Sequence, residues 1–220
     1  MEDPRSVGEI VPEYRSRNPA VRWLFTERLR VALELGALEG EALDVLDLGC
    51  GEGAFLSLTR ERYPRHRYAG WDVHPDLANV RIPGVELAVV NVLGSAPLPA
   101  RRFDRVFCLD VLEHFKELSV PLARIRGLLK PGGLLVLSEP TESWLYKAGR
   151  LVVKGTLSAH EGPAAGPHYH DAAGVHREVL RAGFECTAVR PIPPRPFDLF
   201  HLTRYKAGKA SGKPPSTPLP

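Results

Sequence analysis

The residues with the clearest chemical potential lie in "VLDLGCGEG" (45–53), where glycines alternate after an apolar run. Gly49, Gly51 and Gly53 follow directly on a segment whose composition predicts a β-strand. Glycine adopts left-handed backbone angles and has no Cβ, so such a turn lets a ligand approach the main chain closely. The helix predicted to follow directs its free N–H groups at the same place. This spacing predicts a nucleotide-type ligand beyond the end of the strand.

Two carboxylates near this turn bear on which ligand it is. The letters G-C-G-E-G-A satisfy the loose dinucleotide pattern and Asp72 lies at the expected distance downstream, which leaves a nicotinamide or flavin cofactor open. Asp47 would face a pyrophosphate poorly, whereas a ligand with a positive charge would be attracted to it. S-adenosylmethionine is such a ligand, because it has an ammonium, a sulfonium and no phosphate. Asp72 can accept from both hydroxyls of a ribose and so fits either cofactor.

Histidines supply the second group of candidates. The segment "HEGPAAGPHYHD" (160–171) contains His160, His168 and His170, and an unperturbed histidine titrates near 6.5, in the range of a general base. Polar residues that order a loop are the alternative interpretation. A metal site built from these histidines and Asp171 is a weaker one, because the spacing does not define a preformed geometry, and we predict no metal.

The elements that must position these residues alternate along the chain. Strands are predicted at 43–48, 67–73, 85–90, 103–110 and 132–139, and helices at 20–36, 53–63 and 111–129, the last with a break near Pro121. Such alternation implies a parallel sheet covered by helices on both faces. A helix over 171–183, capped by Asp171, precedes two final strands. The segment "RPIPPRP" between them is too short for a parallel crossover, so a hairpin is expected.

Composition excludes several classes. Hydrophobic residues make up 44% and charged residues 25%, as in ordinary globular domains, and the net charge of +3 argues only weakly for nucleic acid. The three cysteines, Cys50, Cys108 and Cys186, form no CxxC pair, so neither a disulfide framework nor a structural zinc site is indicated. No apolar run approaches the roughly 18 residues of a membrane span, and no signal core follows Met1, so we expect a cytoplasmic protein.

Taken together, these motifs resemble the class I S-adenosylmethionine-dependent methyltransferases. The matching pieces are "VLDLGCGEG", "YAGWDVHP", "LPARRFDRVFCLDVLEHF" and "IRGLLKPGGLLVLSEP", and they cover roughly residues 40 to 140. The nearest branch is the small-molecule one that includes the ubiquinone and menaquinone biosynthesis enzymes. The resemblance implies a Rossmann-like, seven-stranded, mostly parallel sheet with helices on both faces and an antiparallel last strand.

The resemblance also implies a set of cofactor contacts to S-adenosylmethionine and its product S-adenosylhomocysteine. The implied positions are Asp47, Gly49, Cys50, Gly51, Gly53, Asp72, Val73, Asn91, Val92, Leu109, Asp110 and His114. Within this set the glycine turn would surround the methionyl end, Asp72 would hold the ribose, and Asn91 would read the adenine edge. Asp110 would end the fourth strand beside the departing methyl group.

Methyl transfer from a sulfonium is a direct displacement, so alignment comes first. Orientation supplies on the order of 7–11 kcal/mol, and a general base about 10²–10⁴-fold. The candidates for that base or for binding the acceptor are His168, His170 and His114. The apolar excess in a lid at about 141–170 predicts a small, apolar or aromatic acceptor, with O-methylation favoured and C- or N-methylation open.

The expected organisation has three parts. Residues 1–36 form an arm and an amphipathic helix over the site, residues 37–206 the methyltransferase domain, and residues 207–220 a disordered tail. Contact of the N-terminal helix with a membrane surface is an alternative to packing over the site, through the residues Arg22, Trp23, Phe25, Arg28 and Arg30. We expect a small-molecule acceptor as partner, with no nucleic acid and no integral membrane association.

Other functions remain open at this point. A cofactor-binding subunit without catalysis is the first alternative, and a nicotinamide-dependent oxidoreductase is the second. A nucleic-acid methyltransferase would need a basic stripe that the sequence does not show.

Overall fold

A mixed, seven-stranded sheet organises the chain in a computed structural model, which describes residues 17–94, 96–154 and 167–208. The strands are β1 (Asp44–Leu48), β2 (Arg67–Asp72), β3 (Val85–Val89), β4 (Phe103–Leu109), β5 (Leu129–Pro140), β6 (Phe184–Ile192) and β7 (Phe200–Ala207). The helices are α1 (Pro19–Gly36), α2 (Ala54–Arg62), α3 (Ser119–Leu128), α4 (Trp144–Lys154) and α5 (Ala172–Arg181). Short 3₁₀ helices cover Pro75–Asn79 and Leu112–His114.

The strand order is β3-β2-β1-β4-β5-β7-β6, which confirms the predicted fold class. Strands β1 to β5 pair in parallel, and β7 runs antiparallel to both β5 and β6. The predicted hairpin of the last two strands is therefore confirmed. The order reverses at β1, whose neighbours are β2 and β4, and ligands of open parallel sheets bind in the crevice at such a switch point.

The segment after β4 differs from its prediction. Instead of one helix over 111–129 with a break near Pro121, the chain forms a 3₁₀ turn, is extended at Phe115, and begins α3 at Ser119. Pro121 lies in the first turn of α3, where its missing N–H has no intrahelical partner to lose. The break therefore precedes the proline.

Strand β5 also begins earlier than predicted. Leu129 pairs with Phe103, and the next registered pair is Leu134 with Arg105, so the "KPGG" segment forms an irregularity within the strand. Gly132 has a φ of +77°, which a β-branched or bulky residue would adopt only with strain. The predicted strand at 132–139 is thus the later part of a longer one.

Helix α1 packs against the sheet, and this corrects part of the membrane-surface alternative. Arg28 is 4% exposed, and the ring of Phe25 meets Phe200 edge-on at 6.1 Å. These two residues therefore face the protein. An arginine is stable in the interior only when groups of opposite charge or aromatic faces surround its guanidinium. Trp23 remains 51% exposed. Among the helices that the structure describes, none is long and apolar enough to cross a bilayer.

The two faces of the sheet bury separate parts of the core. All five residues of β1 are buried, which explains its nearly continuous apolar composition. On one face Trp71 packs edge-on to Phe103 at 5.5 Å, and on the other Phe55 packs against Phe107 at 4.6 Å. Because both faces of the sheet are packed, the ends of its strands hold the loops of the site in place.

We predict that Leu135→Ala in β5 lowers the free energy of unfolding by about 2–5 kcal/mol, because a fully buried side chain would leave a cavity. The matched control Leu58→Ala, at a position that is 38% exposed on α2, should change it by about 0.5 kcal/mol or less. Urea denaturation followed by circular dichroism measures both values. Equal effects of the two substitutions would contradict the position of β5 in the core.

Candidate active site

The glycine turn connects β1 to α2 at the switch point of the sheet. Gly49, Gly51 and Gly53 have φ angles of +80°, +51° and +79°, a region in which only glycine is free of strain. A Cβ on Gly49 would lie 2.3 Å from the Val111 side chain. The N–H groups of Gly49 and Cys50 both donate to the carbonyl of Trp71, at 2.7 and 3.2 Å. The turn is thus fixed by backbone conformation, close packing and its bonds to β2.

Asp72 ends β2 and ties the turn to it. Its Oδ2 accepts from the Gly51 N–H at 2.8 Å and its Oδ1 from the His74 N–H at 2.9 Å. A carboxylate has about four lone-pair sites, so each oxygen can accept once more. The residue therefore orders the strand end and can still accept from a pair of hydroxyls, as on a ribose.

Asp47 is a buried carboxyl behind the turn. It is 3% exposed, and none of the residues that the structure describes forms a hydrogen bond or ion pair with its side chain. Burial, and to a lesser extent the charge of Asp72, raises the pKa of Asp47 to about 8. A cationic ligand group at this position would favour the ionised form. Burial also raises the pKa of the Cys50 thiol, so this group stays protonated and unreactive.

The positions implied for the adenine have different environments. Val73 is 62% exposed beside the strand end, whereas Val92 is buried. The side-chain oxygen of Asn91 accepts from the Leu93 N–H at 2.9 Å, so it orders its own turn. An adenine edge would have to use the amide's remaining hydrogen-bonding capacity.

Asp110 lies at the end of β4 in a network that reaches α1. Arg28 forms an ion pair with Asp110 and donates to Ser138 Oγ at 3.0 Å, and Ser138 donates to Asp110 Oδ1 at 3.0 Å. The guanidinium lies 3.9 Å from the centre of the Phe200 ring. Asp110 has a φ of +57°, a conformation that this network stabilises. Arg28 therefore lies in the protein interior, as packing of this helix over the site predicts, and not on a membrane surface, which was the alternative; its position between Phe25 and Leu29 on an apolar helix face is a signal for burial.

Two buried glutamates were missed altogether. Glu113 is 1% and Glu139 3% exposed, and they lie against each other at the ends of the 3₁₀ turn and β5. Burial raises the pKa of Glu113, and burial together with the Glu113 charge raises the pKa of Glu139 well above its usual range. Burial therefore favours the protonated form of Glu139. A glutamate after an apolar run gives no sequence signal for this, because the partner is remote in the chain.

Two of the three catalytic candidates lie together. The rings of His114 and His168 are 4.9 Å apart and nearly perpendicular. His168 Nδ1 lies 2.7 Å from Glu142 Oε1, and its side chain is only 3% exposed. His114 Nδ1 lies 3.4 Å from the Pro167 carbonyl. His168 is thereby oriented by a carboxylate and supported by a second ring.

Among the described residues of the set considered for a metal, His170 and Asp171 have other partners. His170 contacts the Lys116 carbonyl at 3.2 Å, and Asp171 caps α5 by accepting from the Gly174 N–H at 2.7 Å, while His160 lies outside the described residues. Within the described ranges, Glu113, His114 and His168 instead place one potential ligand atom each within 4.8 Å of one another.

Comparisons with known proteins agree with this geometry. A family model described as a methyltransferase domain matches residues 20–189. The chain is 33% identical over 177 residues to trans-aconitate 2-methyltransferase of Methylobacterium radiotolerans, covering 70% of this chain and 66% of that protein. It is 30% identical over 200 residues to the protein of the same name from Paracidovorax citrulli, covering 88% and 74%. Demethylmenaquinone methyltransferase of Deinococcus radiodurans is 32% identical over 149 residues, covering 64% and 62%.

A solved structure shows the same fold. N-methyltransferase NodS from Bradyrhizobium japonicum WM9, in complex with S-adenosyl-L-homocysteine, has a TM-score of 0.63 at 18% identity and covers 90% of this chain and 96% of that one. The matched part of this chain spans 66%, 74% and 62% of the lengths of the three curated relatives.

We predict that Asp72→Ala weakens the binding of S-adenosylhomocysteine by at least about tenfold, because charged hydrogen bonds contribute about 1.5–3 kcal/mol. Isothermal calorimetry measures the effect. The control Asp76→Asn, at an exposed position in the following 3₁₀ turn, should bind within about twofold of the wild type. Unchanged affinity in a folded Asp72→Ala protein would contradict the ribose assignment.

A second prediction concerns Asp47. With its pKa at about 8, this carboxyl is largely protonated at neutral pH, and a bound ammonium would lower that pKa. Binding of S-adenosylhomocysteine at about pH 7 should therefore release up to about one proton, and the affinity should rise with pH toward 8. Calorimetry in buffers of different ionisation enthalpy counts the protons. Asp47→Asn should abolish the release; a release that persists in this variant would assign it to another group.

Proposed function

We propose that this chain methylates an oxygen atom of a small acceptor. The premise is its family: the chain belongs to the class I S-adenosylmethionine-dependent methyltransferases. Membership of the family makes the chain an enzyme whose cofactor is S-adenosylmethionine. The observation that carries the proposal of an oxygen acceptor is the His168–Glu142 pair beside His114, beyond the carboxyl ends of β4 and β5.

The chain's residues fit the cofactor. The bound cofactor supplies an electrophilic methyl group on a sulfonium. We assign its amino-acid end to the turn at Gly49–Gly53, where the buried Asp47 offers a charge of opposite sign. Asp72 would accept from the ribose hydroxyls with the lone pairs that Gly51 and His74 leave free. Two observations support this assignment. The turn glycines have positive φ angles, and the buried Asp47 carboxyl forms no hydrogen bond or ion pair with the described residues.

His168 is the best candidate for a general base. If its Nδ1 carries the proton and donates to Glu142, its Nε2 is an acceptor for the proton of a hydroxyl. Glu142 would hold the ring in that tautomer and stabilise the imidazolium that forms, as carboxylates do in other histidine bases. His114 would act as the adjacent wall. His170 was a candidate from the sequence, but its ring contacts the Lys116 carbonyl, which gives it no comparable orientation toward a substrate.

Oxygen is the favoured acceptor atom for a chemical reason. A hydroxyl is a weak nucleophile until it loses its proton, so it gains most from a positioned base. The names of the relatives refer to trans-aconitate and demethylmenaquinone, which supports a small-molecule acceptor. The two names refer to different acceptors, so they do not identify the one that this chain uses. The apolar acceptor stays a prediction; the 80% exposed Trp144 and the 63% exposed Phe197 are side chains that could contact its apolar part. No described feature favours a purely binding role.

We predict that His168→Asn lowers kcat for methyl transfer by about 10²–10⁴-fold, because the proton acceptor is lost. Glu142→Gln should lower kcat by at least about tenfold, since the ring loses its charged partner. In both variants the dissociation constant of S-adenosylhomocysteine should stay within about twofold. Initial rates with labelled cofactor, together with calorimetry, give both quantities.

Glu34→Gln is the control, because it removes an exposed, ion-paired carboxylate on α1 that has no assigned role in the site. Its kcat should equal that of the wild type. A His168→Asn enzyme with wild-type kcat would rule out the base, and a parallel loss of cofactor affinity would assign His168 to binding instead.

A further inference from the structure

A cavity of about 470 Å³ adjoins the His168–Glu142 pair. Its walls come from the first residues after β5, from α4, from residues 168–171 and from α5. The side chains that matter are Glu142, Lys147, His168, His170, Asp171 and Arg177. This volume suits a small molecule, but the lining is mainly polar.

The charges in this cavity are unequally engaged. Glu142 is hydrogen-bonded to His168, and Asp171 Oδ1 accepts from the Gly174 N–H. In contrast, the Lys147 ammonium and the Arg177 guanidinium form no ion pair or hydrogen bond with any residue of the described chain. Two cations therefore line the cavity with unused donors, while its carboxylates already have partners.

We propose that Lys147 and Arg177 form a subsite for a carboxylate group of the acceptor, whose hydroxyl would lie at His168. The inference rests on the proposed function and names the substrate class of the same site: a small hydroxy acid. A guanidinium presents a planar fork that matches a carboxylate in two parallel hydrogen bonds, and the ammonium adds a second positive charge.

The geometry favours this class over an uncharged acceptor. Both cations are exposed, so an uncharged, wholly apolar molecule would form no ion pair with them and gain nothing from their charge. A carboxylate would satisfy them, and binding it at one end would fix the position of a hydroxyl at the other. Alignment of this kind is what the displacement reaction needs most.

The subsite is tested by calorimetry on the full chain saturated with S-adenosylhomocysteine. The probes are two hydroxy acids and their uncharged amides: 4-hydroxybenzoate with 4-hydroxybenzamide, and malate with malamide. We expect at least one acid to bind about tenfold or more tightly than its amide, and Arg177→Gln or Lys147→Gln to remove that preference. Arg181→Gln is the matched control, because Arg181 lies one turn further along α5, is paired with Glu178, and lines no part of the cavity.

The preference should persist in Arg181→Gln. If neither acid binds more tightly than its amide, or if the preference survives both cavity substitutions, the subsite is refuted. Inorganic phosphate serves as a further probe; Arg177-dependent binding of phosphate without binding of the acids would overturn the carboxylate assignment.

Methyl transfer from labelled cofactor is measured separately. Binding of an acid without its methylation supports the subsite and contradicts the proposed reaction, whereas methylation of amides alone does the reverse.

Discussion

The structure of the site depends on the bond between Asp72 and the Gly51 N–H. It joins the end of β2 to the turn that follows β1, and the same carboxylate accepts from His74. The turn can only take this course because three of its residues have positive φ. One carboxylate therefore orders two loops and still has capacity for a ligand. Asp47 lies behind the turn, and its burial next to Asp72 raises its pKa to about 8, so a cationic group bound there would favour loss of its proton.

The far side of the crevice is built differently, from side chains that meet across long stretches of sequence. Arg28 of α1 reaches Asp110 and Ser138 at the ends of two central strands. His168 and Glu142 come from opposite sides of a segment that contains α4. Because these bonds link the covering elements to strand ends, the position of the reacting groups depends on the sheet beneath them. The glycine turn, to which we assign the cofactor, is built from residues close together in the chain, whereas the proposed acceptor side is assembled from remote parts.

Much of the fold was predictable because each strand and helix carries a local pattern. The apolar run of β1, the glycine turn and the Asp171 cap were identified correctly, and so was the final hairpin. The break after β4 was misplaced because a proline in the first turn of a helix costs nothing, a fact that depends on where the helix starts. A membrane-surface position for Arg28 stayed open as an alternative because its neutralising partners are about eighty or more residues away in the chain.

The order of the elements, the glycine turn and the carboxylates beside it can be recognised without the fold. These follow from backbone sterics and hydrophobic periodicity, which act between near neighbours. Three arrangements arise only when the chain folds: Glu113 lies against Glu139, Glu142 orients His168, and Lys147 and Arg177 line one cavity. Electrostatic and hydrogen-bond partners depend on distance and burial in space, and no spacing along the chain encodes either.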